Sequence, residues 1–159
     1  RDSFVSRVVV WRLVAGRHAA TAFSGEGARK YGARWSPAGV TVVYCSDSRS
    51  LAALEVIVNA LNGTRLVGAA WAVLSAEIPE SLIERPSRVP DNWRDHPHPR
   101  ATQDFGAKWA REQRTAVLRV PSVVVLGEFN YLLNPAHPEF AKITLGQPAP
   151  FAFDTRPKR

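Results

Sequence analysis

The sequence predicts a mixed α+β fold, a single domain over residues 1–159 with a β-sheet core and few helices. Segments rich in valine, isoleucine and aromatic residues outnumber the helical segments. Their order also departs from the strict strand–helix alternation of a doubly wound nucleotide-binding fold, and no Gly-x-Gly-x-x-Gly or phosphate-loop pattern is present. A chain of 159 residues can close one substantial core but not two.

The first predicted strand covers residues 8–13, where β-branched and aromatic residues dominate. Alternation along a strand places Arg12 on the same face as Val8 and Val10, so we expect an anion close to Arg12. A short helical turn is predicted at 25–32, and a strand at 40–45 follows the Pro-Ala-Gly turn. Arg34 then lies on the loop between these two elements.

The next element is a helix predicted at about 50–62. Between Leu51 and Leu61 its only charged residue is Glu55, and apolar side chains occupy nearly every other position. A helix that is apolar nearly all round is expected to be buried. An ionised carboxylate on such a helix is costly unless it reaches a cavity, a cation or hydrogen-bond donors. Glu55 is therefore the first candidate for a functional site.

The second half of the chain is predicted to contain fewer helical than strand segments. Strands are expected at 67–78, 115–120, 122–126 and 140–145, a helix at about 102–113, and an irregular proline-rich surface segment at 85–100.

Composition limits the function only loosely. The net charge is +7 and the pI is near 10.3, which suits an acidic protein, a nucleic acid or a phosphate-bearing small molecule. The lone Cys45 favours a cytoplasmic protein, and no apolar run is long enough to span a bilayer. The basic residues form no recognition helix, so we expect no direct nucleic-acid binding. The lack of any Met indicates a chain trimmed at its start.

One functional interpretation is a pocket that binds a phosphorylated ligand with an aromatic ring. Its candidate lining residues are Arg12, Arg34, Tyr44 and Glu55. Guanidinium groups suit phosphate oxygens, a tyrosine offers a ring face, and a buried carboxylate can hold a ribose hydroxyl. The alternative is a buried salt bridge between Arg12 and Glu55, with Tyr44 as ordinary core. Ser122 could lie at the edge of the same pocket, or its hydroxyl could donate a hydrogen bond to a nearby carbonyl. No Gly-x-Ser-x-Gly nucleophile elbow surrounds it, which argues against a serine hydrolase.

The histidines give no metal-ligand pattern. His96 and His98 flank a proline in a flexible segment next to Asp95, without a cysteine partner or a His-Glu-x-x-His helix. We interpret them as part of a solvated loop and His137 as a turn residue. We therefore predict no metal site.

Eight motifs run through almost the whole chain: Trp11-Arg12-Leu13, Gly25-Glu26-Gly27-Ala28-Arg29, Gly32-Ala33-Arg34-Trp35-Ser36, Val43-Tyr44, Leu51-Ala52-Ala53-Leu54-Glu55, Val120-Pro121-Ser122, Asn130-Tyr131-Leu132-Leu133-Asn134-Pro135-Ala136-His137 and Phe151-Ala152-Phe153-Asp154. Together they resemble the RES domain, named for an arginine, a glutamate and a serine, which is the toxin of RES–Xre toxin–antitoxin modules. The family usually has Gly and Asn where this chain has Ala33 and Ser36, a difference that bears on a turn.

The resemblance implies a fold similar to diphtheria-toxin-like ADP-ribosyltransferases, in which a β-sheet core forms a cleft for NAD⁺. It also implies cleavage of the bond between nicotinamide and ribose. The outcome would be NAD⁺ depletion by hydrolysis or by phosphorolysis with phosphate as co-substrate, or ADP-ribosylation of a protein. The family's residues correspond to Arg12, Arg34, Tyr44, Glu55 and Ser122.

These residues have expected roles under the resemblance. Glu55 would stabilise the oxocarbenium-like ribose, while Arg12 and Arg34 would hold the pyrophosphate or anchor the carboxylate. Tyr44 would stack on or orient nicotinamide, and Ser122 would position Glu55 or the ribose.

Two further expectations concern the cleft and its partner. Gln103, at the start of the second predicted helix, is a weaker candidate for the wall of the cleft. The implied partner is a helical Xre-like antitoxin, through which any contact with DNA would be made. A non-enzymatic basic binding module remains an alternative of another class.

Overall fold

The computed structural model describes residues 6–59, 66 and 69–154. Its strands are β1 (Arg7–Ala15), β2 (Val43–Ser46), β3 (Trp71–Pro79), β4 (Ile83–Glu84), β5 (Val117–Pro121), β6 (Phe129–Leu133), β7 (Thr144–Leu145) and β8 (Ala149–Phe151). Its helices are α1 (Glu26–Tyr31), α2 (Arg49–Asn59) and α3 (Arg100–Glu112), with short 3₁₀ helices at Gly16–Thr21, Glu80–Leu82 and Phe140–Lys142. The predicted α+β fold with a sheet core is confirmed. That the whole of 1–159 forms one domain stays a prediction.

All eight strands join one sheet in the order β4-β5-β6-β2-β1-β3-β7, with β8 also paired to β3. Every pairing is antiparallel except that of β4 with β5. β1 pairs with β3 along all nine of its residues, and β2 pairs with β6 so that Ser46 lies opposite Asn130. None of the helices in the described ranges is long and apolar enough to cross a bilayer.

Different clusters of side chains pack on the two faces of the sheet, as the alternation of residues along β6 shows. Leu132 packs in a cluster with Trp109 of α3, and Asn130 shares its face two residues away. Tyr131 and Leu133 belong to a second cluster on the opposite face. α2 packs against β1 on the same face as α3, through the cluster of Leu13 and Ala52. We call this side of the sheet the helical face. The space between α2 and the segments near α3 is therefore bordered by polar groups of β2 and β6.

Most of the predicted elements are confirmed, with shifted ends. The strands predicted at 8–13, 40–45 and 115–120 correspond to β1, β2 and β5, and the helix predicted at 102–113 is α3. Residues 67–68 of the predicted third strand and residues 60–62 of the helix predicted at about 50–62 lie outside the described residues. Only Thr144–Leu145 of the strand predicted at 140–145 is a strand, since a 3₁₀ helix precedes it.

The strand predicted at 122–126 is wrong, because these residues form a turn. The Ser122 hydroxyl accepts hydrogen bonds from the backbone N–H groups of Val124 and Val125, each at 3.1 Å. Gly127 then takes a positive φ of 88°, a conformation that glycine adopts without strain. The turn reverses the chain into β6, a strand that the sequence analysis did not anticipate.

α2 also departs from its predicted burial. Leu51 and Ala52 are buried, but Leu54 and Val58 are 40% and 44% exposed. The helix lies at the rim of the sheet's helical face, so one side packs on β1 and another side faces solvent. The Ser48 hydroxyl caps its start by accepting a hydrogen bond from the Leu51 N–H at 3.0 Å.

Candidate active site

A cleft of about 1010 Å³ opens on the helical face of the sheet. One side, which we call the sheet wall, consists of lining residues from β1, β2, β6 and α2. The other, which we call the loop wall, consists of segments 33–36 and 93–98. Four of the predicted site residues line this cleft: Arg12, Arg34, Tyr44 and Glu55.

Glu55 is held by two side-chain donors from distant parts of the chain. Its Oε2 accepts hydrogen bonds from Ser122 Oγ at 3.0 Å and from Asn130 Nδ2 at 2.6 Å. Asn130 is oriented in turn by the Ser46 hydroxyl, which donates to Asn130 Oδ1 at 2.8 Å. Within the described part of the chain, Oε1 of Glu55 has no hydrogen-bond partner. A carboxylate fixed in this way can stabilise a positive charge that develops in the cleft.

Ser122 lies behind Glu55 and not on the surface of the cleft. It is fully buried, and because its hydroxyl accepts bonds from two backbone N–H groups, its single proton is directed to Glu55. Of the two roles expected for Ser122, this geometry favours positioning Glu55 over contacting ribose.

Arg12 binds backbone carbonyls in place of the expected anion. Its Nε donates to Ala22 O at 2.6 Å and its Nη1 donates to Tyr44 O at 2.9 Å. The alternative of a salt bridge between Arg12 and Glu55 is wrong, because no ion pair joins the two. Burial lowers the pKa of Arg12, while the coulombic interaction with the thiolate form of the neighbouring Cys45 acts in the opposite direction. The two carbonyls satisfy part of the hydrogen-bonding capacity of the guanidinium, and Arg12 is among the residues that line the cleft.

Arg34 ties the two segments of the loop wall together. Its Nη1 donates to the carbonyl oxygens of Trp93 and Asp95, both at 2.8 Å. The Trp93 ring stacks on Trp35 with a centroid distance of 6.5 Å and an interplanar angle of 28°. Burial lowers the pKa of Arg34, and the carboxylates of Glu55 and Asp95 partly oppose this shift. Arg34 therefore brings a positive charge within electrostatic range of Glu55.

Tyr44 connects the two walls. Its ring belongs to β2 on the sheet wall, and its hydroxyl accepts a hydrogen bond from the Trp35 N–H at 3.2 Å. The same hydroxyl shares a 2.8 Å hydrogen bond with Ser36 Oγ. Burial raises the pKa of Tyr44, so the group is a neutral phenol at physiological pH.

Gln103 does not line the cleft. It lies in α3, and its Nε2 donates to the carbonyl oxygen of Ala33 at 3.1 Å. Next to it, Thr102 Oγ1 donates to the carbonyl of Arg34 at 2.6 Å. The two side chains support the loop wall from behind.

Two features of the site are not among the residues predicted from the sequence. Asn130 falls within one of the motifs, and an amide between apolar neighbours is a usable signal for a site residue. His96 and His98 are exposed, as expected of a solvated loop, yet both line the cleft. In the ranges that the structure describes, no group of three or more His, Cys, Asp or Glu could hold a metal ion. His137 lies in a turn, as predicted, where its Nδ1 accepts the Glu139 N–H at 3.0 Å.

Comparisons with known proteins identify the family of this chain. The family model described as "RES domain" matches residues 9–154. A protein from Yersinia enterocolitica named "Toxin Res" is 36% identical over 154 residues, covering 95% of this chain and 100% of the relative. A protein from Sphingobium sp. named "Prs ADP-ribosylating toxin" is 38% identical over 153 residues, covering 92% and 94%.

A solved structure shows the same fold. The crystal structure of the M. tuberculosis MbcT–MbcA toxin–antitoxin complex matches with a TM-score of 0.74 and 18% identity, covering 93% of this chain and 86% of that chain. Identity at this level supports a shared fold alone. The family match and the curated relatives together go further, and the chain belongs to the RES domain family.

Proposed function

We propose that this chain is the toxin of a toxin–antitoxin pair and that it cleaves the bond between nicotinamide and ribose in NAD⁺, which arrests growth. The observation that carries the proposal is the carboxylate of Glu55, fixed on the cleft by Ser122 and Asn130. The names of the relatives, "Toxin Res" and "Prs ADP-ribosylating toxin", support the same class of activity.

Glu55 acts on the charge that develops during bond cleavage. As the glycosidic bond breaks, its electron pair leaves with the nicotinamide ring, which becomes neutral, and positive charge builds on the ribose. A carboxylate already oriented in the cleft stabilises that charge more in the transition state than in the ground state. Oxygen from water or from phosphate then bonds to the ribose carbon, and a proton is released where water attacks.

The remaining residues bind and orient the dinucleotide. Arg34 and Arg12 are cations on opposite walls, suited to the pyrophosphate, and Tyr44 presents its ring to nicotinamide. Ser122 and Asn130 are positioning residues, since both act on Glu55.

The partner is an antitoxin, because unrestrained NAD⁺ consumption would kill the host. The solved complex of the structural neighbour with its own antitoxin supports a partner of this kind. We propose an Xre-like antitoxin that also makes any contact with DNA, and we place the activity in the cytoplasm.

The test is nicotinamide release from NAD⁺ by the purified chain without antitoxin, with and without phosphate. We expect Glu55→Gln to lower the rate about 100-fold or more while the fold is retained, because the change keeps size and removes charge. Glu77→Gln is the matched control, since Glu77 is exposed on β3 and does not line the cleft. A Glu55→Gln chain as active as the parent would disprove the mechanism. Dependence on phosphate would separate phosphorolysis from hydrolysis.

Protein ADP-ribosylation is the second candidate, favoured by the name of the Sphingobium relative. The chemistry at Glu55 would be the same, with a protein side chain in place of water or phosphate. Labelled NAD⁺ with a cell lysate distinguishes the two, since a transferase yields a labelled protein band.

A further inference from the structure

The loop wall presents four basic side chains to the cleft: Arg34, Arg94, His96 and His98. Segment 93–98 is anchored, because Arg34 bonds two of its carbonyls and Trp93 stacks on Trp35. Arg94 lies with its guanidinium carbon 6.0 Å from the centroid of the Trp93 ring. The backbone that carries these basic side chains is therefore held by hydrogen bonds and ring packing.

The charged groups that act on His98 belong to the loop wall. Partial burial lowers the pKa of His98, and Arg34 and His96 lower it further. Two carboxylates, Asp95 of the same segment and Glu55 of α2, favour the charged form of Arg34. The other titratable groups that line the cleft are Tyr31, Tyr44, Cys45, Arg12 and Arg94.

We propose that His96 and His98, together with Arg34, form a proton-linked phosphate subsite on the loop wall, so that a bound phosphate group draws a proton onto His98. The inference rests on the proposed function for the identity of the ligand as a dinucleotide or its ADP-ribose portion. The same chemistry also suits free phosphate acting as co-substrate.

The direction of the linkage follows from the charges. Next to the cations the protonated form of His98 is disfavoured, and a phosphate anion placed between them reverses that effect by attraction. The pKa of the histidine therefore rises on binding, the complex takes up a proton, and affinity increases as pH falls. Arg34 carries its charge across the same range, so the part of the affinity that it supplies does not change with pH.

The experiment measures the affinity of the full chain for ADP-ribose by calorimetry. Its phosphodiester oxygens stay ionised across the range, so a pH dependence reports on the protein. We expect binding about tenfold tighter at about pH 6 than at about pH 8 for one linked proton. The His96→Asn/His98→Asn double variant should lose this difference by weakening at the lower pH only. His18→Asn is the matched control, because His18 is exposed and lies outside the cleft.

A competition experiment with inorganic phosphate distinguishes free phosphate from the dinucleotide as the ligand of the subsite. Weakening of ADP-ribose binding by inorganic phosphate, lost in the double variant, would assign the subsite to free phosphate as well. An absence of competition would restrict it to the dinucleotide.

The failures of the two proposals can be separated. An unchanged pH dependence in the double variant, with its thermal unfolding like that of the parent, overturns the subsite and leaves cleavage at Glu55 standing. No nicotinamide release, with the pH dependence of ADP-ribose binding intact, overturns the proposed function and leaves the subsite.

Discussion

The two walls of the cleft hold their charged groups in different ways. On the sheet wall, Glu55 is fixed by side chains of other elements, and Arg12 is fixed by backbone carbonyls. On the loop wall, Arg94, His96 and His98 are exposed and come from a segment without helix or strand.

The difference separates two tasks. A group that must stabilise a transition state benefits from fixed geometry, since no reorganisation is needed at the moment of reaction. A group that binds a flexible, charged ligand can be exposed and can change its protonation on binding. We therefore propose the chemistry for Glu55 of the sheet wall, and the binding of phosphate for the loop wall together with Arg12.

The largest effect is expected from a change at the base of the loop wall. Gly106 of α3 packs so closely that an added Cβ would collide with the carbonyl oxygen of Trp35. Gly106→Ala should lower the free energy of unfolding by about 3 kcal/mol, measured by denaturant titration. Gly27→Ala is the control, because a Cβ there meets nothing within 4 Å and alanine favours a helix. Equal stability of both variants would contradict the close contact.

On the sheet wall, Asn130→Ala removes one donor to Glu55. We expect the kcat for nicotinamide release to fall about 10- to 100-fold with little change in KM, since a hydrogen bond to a charged group is lost. Ser46→Ala should have a smaller effect, because Ser46 only orients Asn130. A rise in KM with unchanged kcat would instead place Asn130 on the substrate.

Tyr44→Phe tests the link between the walls. The variant keeps the ring but loses the hydroxyl contacts to Ser36 and to the Trp35 N–H. We expect a loss of about 1 kcal/mol in unfolding free energy with nicotinamide release largely retained. Tyr31→Phe is the control, because Tyr31 is 85% exposed. A large loss of activity would show that the hydroxyl itself acts in the reaction.

The smallest effect concerns Cys45, which lies on the sheet wall beside Arg12. Burial raises the pKa of Cys45 to about 12, against the opposing influence of Arg12, and the residue is 2% exposed. The thiol should stay protonated and unreactive towards a disulfide reagent near neutral pH, and should react after denaturation. Because the unfolded thiol titrates at a lower pH, stability should fall as pH rises above its ordinary value of 9.0. Rapid labelling of the folded chain would contradict this burial.

Glu55 could be identified from sequence because a lone carboxylate on an apolar helix is locally visible. Its donors were harder to find. Asn130 lies on β6, where an asparagine close to Gly127 and Glu128 weakens the strand pattern. The apolar run after Ser122 predicted a strand, but the Ser122 hydroxyl competes for the backbone N–H groups and makes a turn.

The loop wall shows the limit of local patterns. Its irregular character followed from its prolines, and this was correct. Its position over the cleft depends on bonds from Arg34 to carbonyls 59 and 61 residues away, which no local pattern encodes. For the same reason Gln103 was expected on the cleft although it supports Ala33 from behind.

The long sequence separation of the Glu55 contacts has a consequence for the biosynthesis of this chain. Ser122 and Asn130 are 67 and 75 residues further along the chain. A ribosome that has translated α2 has already made the carboxylate but neither of its donors. The Glu55 carboxylate of a nascent chain would therefore stay without these donors until translation has passed β6, and the proposed activity would reach its full level only late in synthesis.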